Sequence, residues 1–107
     1  MRFLSRYVSV APTWSNVSSA STWEDWDLSS IVGTNAKIAE IVIKVTVQAD
    51  IGVRPNGSTL DRKWTATGST SYETYITMQV ELDSDKIVER YAGSTTDVSF
   101  AVVGYWE

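Results

Sequence analysis

Residues 39–53, Ala39-Glu40-Ile41-Val42-Ile43-Lys44-Val45-Thr46-Val47-Gln48-Ala49-Asp50-Ile51-Gly52-Val53, decide the fold class. Every odd position is apolar, while Glu40, Lys44, Thr46, Gln48 and Asp50 occupy even ones; Val42 is the exception and Gly52 is neutral. A period of two sends alternate side chains to opposite faces of an extended chain, so one face is buried and the other is wet. A helix would scatter the same residues around its circumference. The buried side is dominated by Ile and Val, the β-branched types that strands favour. This is β-structure. Its length exceeds the roughly 3–10 residues of an ordinary strand. Two readings stay open: one long bent strand, or two strands joined by a tight turn at Ala49-Asp50, since a two-residue turn leaves the parity unchanged.

Outward from this stretch the pattern repeats in shorter form. Arg54-Pro55-Asn56-Gly57-Ser58 is a turn, because Pro presets φ and Asn-Gly tolerates positive φ. Residues 59–66 read as a strand with Leu60, Arg62, Trp64 and Ala66 on one face. Residues 72–82 alternate, with Ile76, Met78, Val80 and Leu82 facing in. Asp83-Ser84-Asp85-Lys86 reads as a hairpin turn into residues 87–92, and Gly93 to Asp97 as the next turn. Residues 98–106 close the chain with Val98, Phe100, Val102 and Trp106 in phase. Before the central stretch, residues 23–28 form a short strand, and residues 12–22 are a loop rich in Ser and Thr. Residues 2–11 are either a first strand or an arm that pairs with a neighbouring subunit. About seven or eight short strands with no helical period predict an all-β, single antiparallel β-sandwich. Residues 1–22 then form the N-terminal strand or assembly arm plus its loop, and residues 23–107 the sandwich core.

Composition bounds the function. A chain of 107 residues has room for one domain, and an apolar fraction of 43% supports a real core. The net charge of -4 argues against nucleic-acid binding, which needs a clustered basic face. The chain has neither Cys nor His. Disulfides, thiolate metal sites, and the Ser-His-Asp and Cys-His catalytic arrangements are therefore ruled out by residue type. No cofactor is expected and no enzymatic activity; cations bound by oxygen ligands alone, such as calcium, are the exception left open. The N-terminus carries charge without a following apolar region, so it does not read as a secretory signal. No apolar run approaches the roughly 20 residues that span a bilayer. Starting at Met and ending at a strand end, the chain reads as a complete small protein.

The candidate sites are aromatic and charged side chains. Five Trp and five Tyr make a high aromatic load. Trp14, Trp23, Trp26 and Trp64 lie in or beside expected loops, where such rings either stack on sugars or fill the core's ends or a subunit interface. Glu24, Asp25 and Asp27, and the pair Asp83 and Asp85, suit a calcium site or a glycosidase acid and base less well than backbone-capping turns. Arg54 and Arg62 bracket the Pro-Asn-Gly turn and suit either an acidic partner or an ion pair within the domain. The sequons at Asn16 and Asn56 are read as chance matches.

Three segments in order carry a resemblance. They are Trp26-Asp27-Leu28-Ser29-Ser30 leading into Ala36 to Ile41, Ile51-Gly52-Val53-Arg54-Pro55-Asn56-Gly57-Ser58 with Asp61-Arg62, and Ile87-Val88-Glu89 through Val103-Gly104-Tyr105-Trp106. Over residues 23–106 the chain resembles small jelly-roll-like β-sandwich domains of tailed-phage virion proteins and prophage regions. Those domains carry a loop between the two strands before the Gly-Val-Arg turn, where this chain offers only Ala49-Asp50. The resemblance implies a non-enzymatic structural or decoration subunit of a virion (capsid, tail or fibre), made in the host cytoplasm. It also implies a homo-oligomer, a trimer being one form, in contact with other virion proteins. Phe3, Tyr7, Arg54 and Arg62 are the candidate assembly residues. The competing reading is a carbohydrate-binding module or receptor-binding tip that binds surface glycans through Trp14, Trp23, Trp26 and Trp64.

Overall fold

The computed structural model describes the backbone of residues 5–7 and all of residues 13–107. The described residues form eight strands: β1 (Ser5–Tyr7), β2 (Glu24–Asp27), β3 (Ile38–Val45), β4 (Ala49–Pro55), β5 (Lys63–Ala66), β6 (Thr74–Glu81), β7 (Ile87–Ala92) and β8 (Val98–Trp106). They build two four-stranded antiparallel sheets, in the orders β1-β8-β3-β6 and β2-β7-β4-β5. The chain is thus all-β. Strands β1 and β8, β2 and β7, β3 and β6, and β4 and β5 pair as in one long hairpin, and rolling that hairpin up brings β8 beside β3 and β7 beside β4. This is the double Greek key of a jelly roll.

The central stretch is neither one bent strand nor a hairpin. It breaks at Thr46-Val47-Gln48, and its halves β3 and β4 lie in opposite sheets. A three-residue link keeps the odd parity while the chain crosses, so Ala39, Ile41, Ile43 and Val45 face Ala49, Ile51 and Val53 across one core. The loop before Gly52-Val53-Arg54 is therefore present at residues 46–48. Two other connections differ from expectation in the same way. Asp83–Lys86 is a crossover rather than a hairpin turn, because β6 and β7 belong to different sheets, and Gly93–Asp97 crosses back. The chain takes these crossings because each sheet has one apolar face that only the other sheet can cover. Pro55-Asn56-Gly57-Ser58 is the expected turn: Gly57 has φ 78° and the Ser58 amide donates to the Pro55 carbonyl at 3.1 Å.

The last strand departs from its pattern at one residue. The register of β8 against β3 jumps between Glu40↔Gly104 and Ile41↔Val102, leaving Val103 unpaired as a bulge. An extra residue reverses the side-chain parity beyond it. Consequently Tyr105, opposite the buried Ala39, packs against the core, and Trp106 does not. Strand β1 pairs Ser5, Arg6 and Tyr7 with Trp106, Tyr105 and Gly104 of its own chain. The rest of the expected arm, including Phe3, lies outside the described residues.

Candidate interaction site on the open side of the sandwich

The two sheets meet differently along their two sides. On one side, the segment after β1 continues the seal: Ser15 bridges Phe100 of β8, with amide-to-carbonyl distances of 2.9 and 2.8 Å. Val88, Arg90 and Ala92 share the inward parity of β7, so the Arg90 guanidinium enters the sandwich and is only 6% exposed. It stacks on Trp26 at 4.6 Å and on Phe100 at 5.2 Å. It donates to Ser15 Oγ and the Asn16 carbonyl at 2.8 Å each, and pairs with Glu24 at 3.4 Å. Burial pushes the Glu24 carboxyl up, but hydrogen bonds from the Ser18 hydroxyl and amide, with the Arg90 charge, outweigh it and hold the group below its ordinary value. Burial also lowers Arg90, against the pull of Glu24. The buried guanidinium is tolerated because Glu24 reaches it from a partly exposed position and all of its nitrogens but Nε have a hydrogen-bond partner.

The opposite side, between β5 and β6, is open. Trp64 pairs with Ile51, a core residue, so its ring points to the inside of the sandwich, yet it is 54% exposed. It is exposed because β5 and β6 do not close over it. The gap is a cleft of about 460 Å³ whose walls are Trp64 and Thr65 on one side and Ile76, Thr77, Met78 and Gln79 on the other, with Val53 and Arg62 completing it. That volume falls in the range of small-ligand sites. Arg62 spans the two sheets, donating to the Gln79 carbonyl at 3.4 Å and pairing with Glu81 at 3.3 Å. Gly52 fixes where this span begins: a Cβ there would sit 2.1 Å from the Arg62 carbonyl oxygen and 3.1 Å from the Trp23 ring. Any side chain would push the residue 61–62 connection off β4.

The four tryptophans do not form one platform. Trp26 lies on β2 facing inward and is edge-on to Phe100 at 5.9 Å, so it belongs to the core rather than to a loop. Trp23 covers the outer face of the second sheet, 5.5 Å from Tyr91, with the Arg54 guanidinium 4.1 Å from its ring. Trp14 lies 6.3 Å from Tyr75, with Lys44 at 4.8 Å. Only Trp64, among these four, is both exposed and beside a cleft. Arg54 is committed within the domain, bound to Glu89 at 2.5 Å and to the Leu60 carbonyl at 2.9 Å. Arg62, at the cleft, keeps its head nearer solvent.

The acidic residues serve turns. Asp83 accepts from the Asp85 and Ile87 amides and from Asn56, and the Asn56 and Ile87 hydrogen bonds hold it below its ordinary value. Asp27 accepts from the Ser29 amide, which lowers it likewise. No group of three or more acidic side chains able to hold a metal ion is assembled among the described residues.

Arg90, Ile76, Met78 and Gln79 line the two sides of the sandwich without belonging to any motif of the sequence. Arg90 left a signal, since it holds an inward position between Val88 and Ala92. The β6 residues left none, because the fact that matters is which sheet edge they occupy. Comparison with known proteins found no matching family model, no similar curated protein and no similar solved structure.

Proposed function

We propose that this chain is a non-enzymatic structural or decoration subunit of a phage-like particle, acting by assembly with further copies of itself. The observation that carries the reading is the surface around β6. Of the exposed large apolar residues among those described, Leu60, Trp64, Tyr72 and Tyr75 all fall between residues 60 and 75, leaving only Ile31 elsewhere. Trp64 faces this eight-residue edge strand across the cleft, Tyr75 lies on it and Tyr72 two residues before it, and its residues 74–80, Thr-Tyr-Ile-Thr-Met-Gln-Val, carry no charge. Apolar side chains concentrated beside an open sheet edge are a surface for association. Jelly rolls serve both capsids and lectins, so the surface and not the fold selects between them. The virion assignment itself comes from the ordered Asp-Leu-Ser, Gly-Val-Arg and Gly-Tyr-Trp segments. Light scattering behind a sizing column, over a range of concentrations, tests assembly. A mass above that of the 11.9 kDa chain supports it, and a monomer at every concentration removes it.

One observation favours a second reading, glycan binding. Trp64 presents an exposed ring beside the hydrogen-bonding groups of Arg62, Gln79, Thr65 and Thr77, and aromatic faces stack on sugar rings. A monomer that binds on a glycan array, and loses binding in Trp64→Ala with an unchanged thermal transition, establishes this reading instead.

A further inference from the structure

We infer that two copies of this chain join through β6, antiparallel, about a twofold axis at Thr77, making one continuous eight-stranded sheet from the two β1-β8-β3-β6 sheets. This rests on the assembly reading and names its contact. Sheet edges ordinarily avoid pairing by being short, charged, bulged or covered. Among the described strands, β1 has three residues, β2 has four of which three are acidic, and β5 has four and begins with Lys63. Strand β6 is long and unbulged; its one charged residue is the terminal Glu81, and the cover on its outer flank is the Arg62 guanidinium at the Gln79 carbonyl, which a pairing strand would have to displace or share. All eight of its residues pair in unbroken register with β3, and its other flank meets no strand among those described.

The backbone groups on that flank can be assigned. The Gln79 carbonyl meets Arg62, which comes from the other sheet rather than from β3. In an antiparallel ladder, residues two apart turn their N–H and C=O to the same side. Tyr75, Thr77 and Gln79 therefore direct theirs off the sheet.

A second copy is the occupant this edge fits. An axis at Thr77 sets Thr77 opposite itself, Tyr75 opposite Gln79, Ile76 opposite Met78 and Thr74 opposite Val80. Thr–Thr is a favourable cross-strand pair, and every facing residue from 74 to 80 is uncharged. The first carboxylates met are Glu73 and Glu81 at the ends, and each Glu81 already carries the Arg62 charge at 3.3 Å. An axis at Tyr75 or Gln79 shortens the overlap, and the latter sets Thr77 opposite Glu81. The contact is isologous, so it consumes both edges and closes at two copies. A threefold ring would need a different surface.

The test uses the absence of Cys from the native chain. A hydrogen-bonded antiparallel pair holds its Cα atoms about 5.5 Å apart, within disulfide range. Thr77→Cys should therefore oxidise to a covalent dimer, under conditions where Ser30→Cys, exposed in the β2–β3 connection, does not. Thr77→Pro removes an N–H that β3 does not use, which an edge strand tolerates. It should halve the native mass while leaving the thermal transition in place. If the proline variant does not fold, Thr77→Lys serves instead. Equal cross-linking of the two cysteine variants, or an assembly that survives Thr77→Pro and Thr77→Lys, overturns this contact while leaving the assembly reading intact. A wild-type monomer at all concentrations overturns both.

Discussion

The two sides of the sandwich solve the same problem in opposite ways. Both sides must end a pair of sheets. On the β1–β2 side the edges are short, the strand Glu24-Asp25-Trp26-Asp27 is acidic, and a loop is stitched over the gap by Arg90, Glu24, Ser15 and Asn16. On the β5–β6 side an inward-pointing Trp64 is left half in solvent beside a long uncharged strand. In a fold that many activities share, function belongs where the two sides part company. A side that is sealed is serving stability, and a side left open at the expense of buried apolar area is available to something else.

Three changes sharpen that contrast. The largest effect is expected on the sealed side. Arg90→Ala strands Glu24 and the Asn16 carbonyl without their cation and empties the space against the Trp26 and Phe100 rings. Removing one member of a fully buried pair costs about 3–5 kcal/mol; Glu24 is partly exposed, so that range is an upper bound for the fall in stability read from the urea midpoint. A change under about 0.5 kcal/mol, the size of an ordinary surface substitution, would show that the seal does not depend on Arg90.

A smaller effect is expected from acid. Glu24, Asp27 and Asp83 are all held below their ordinary values in the folded chain. A carboxylate lowered on folding contributes stability that is fully present above its unfolded value and is lost as pH falls through its folded value. Stability should therefore decline as pH drops below about 4.5, the ordinary Glu24 value. Denaturant midpoints taken across that interval should fall less steeply in Glu24→Gln, though from a lower start. An equal slope in both proteins would remove Glu24 from the account.

The smallest effect on folding belongs to the open side. Trp64→Ala deletes a ring that already lies mostly in water, and the unfolding free energy should change by less than about 1 kcal/mol. Calorimetry checks this, and a loss as large as that of Arg90→Ala would mean the ring is core after all.

Parity made the fold class legible. The odd positions from Ala39 to Val53 announce a buried face, and they face one core even though the chain changes sheets between them. Parity is blind to that change, because a three-residue link preserves it as well as a straight strand would. It was defeated outright at Val103, where one unpaired residue exchanges Tyr105 for Trp106, since a bulge is a property of the ladder and not of either strand alone. The site was less legible. Four tryptophans look alike in sequence, and what separates Trp64 from Trp26 is whether the facing sheet reaches over it, a fact about strand order. Arg54 and Arg62 bracket one turn symmetrically. One is spent on Glu89 and Trp23, and the other spans the cleft, because Arg54 points to the outer face of β4 and Arg62 lies on the inner side.

The pairing of Ser5 with Trp106 has a consequence for how the molecule comes into being. The first strand waits for the last, and β3 reaches its β8 neighbour only when nearly the whole sequence is available. Topologies so dominated by distant partners fold slowly. On the ribosome, Thr74 to Val80 emerges before β8 exists, and β3 must capture it while its far edge lies bare to other nascent chains. The yield of soluble protein should thus follow the rate of synthesis and the crowding of chains, more than the final stability of the fold.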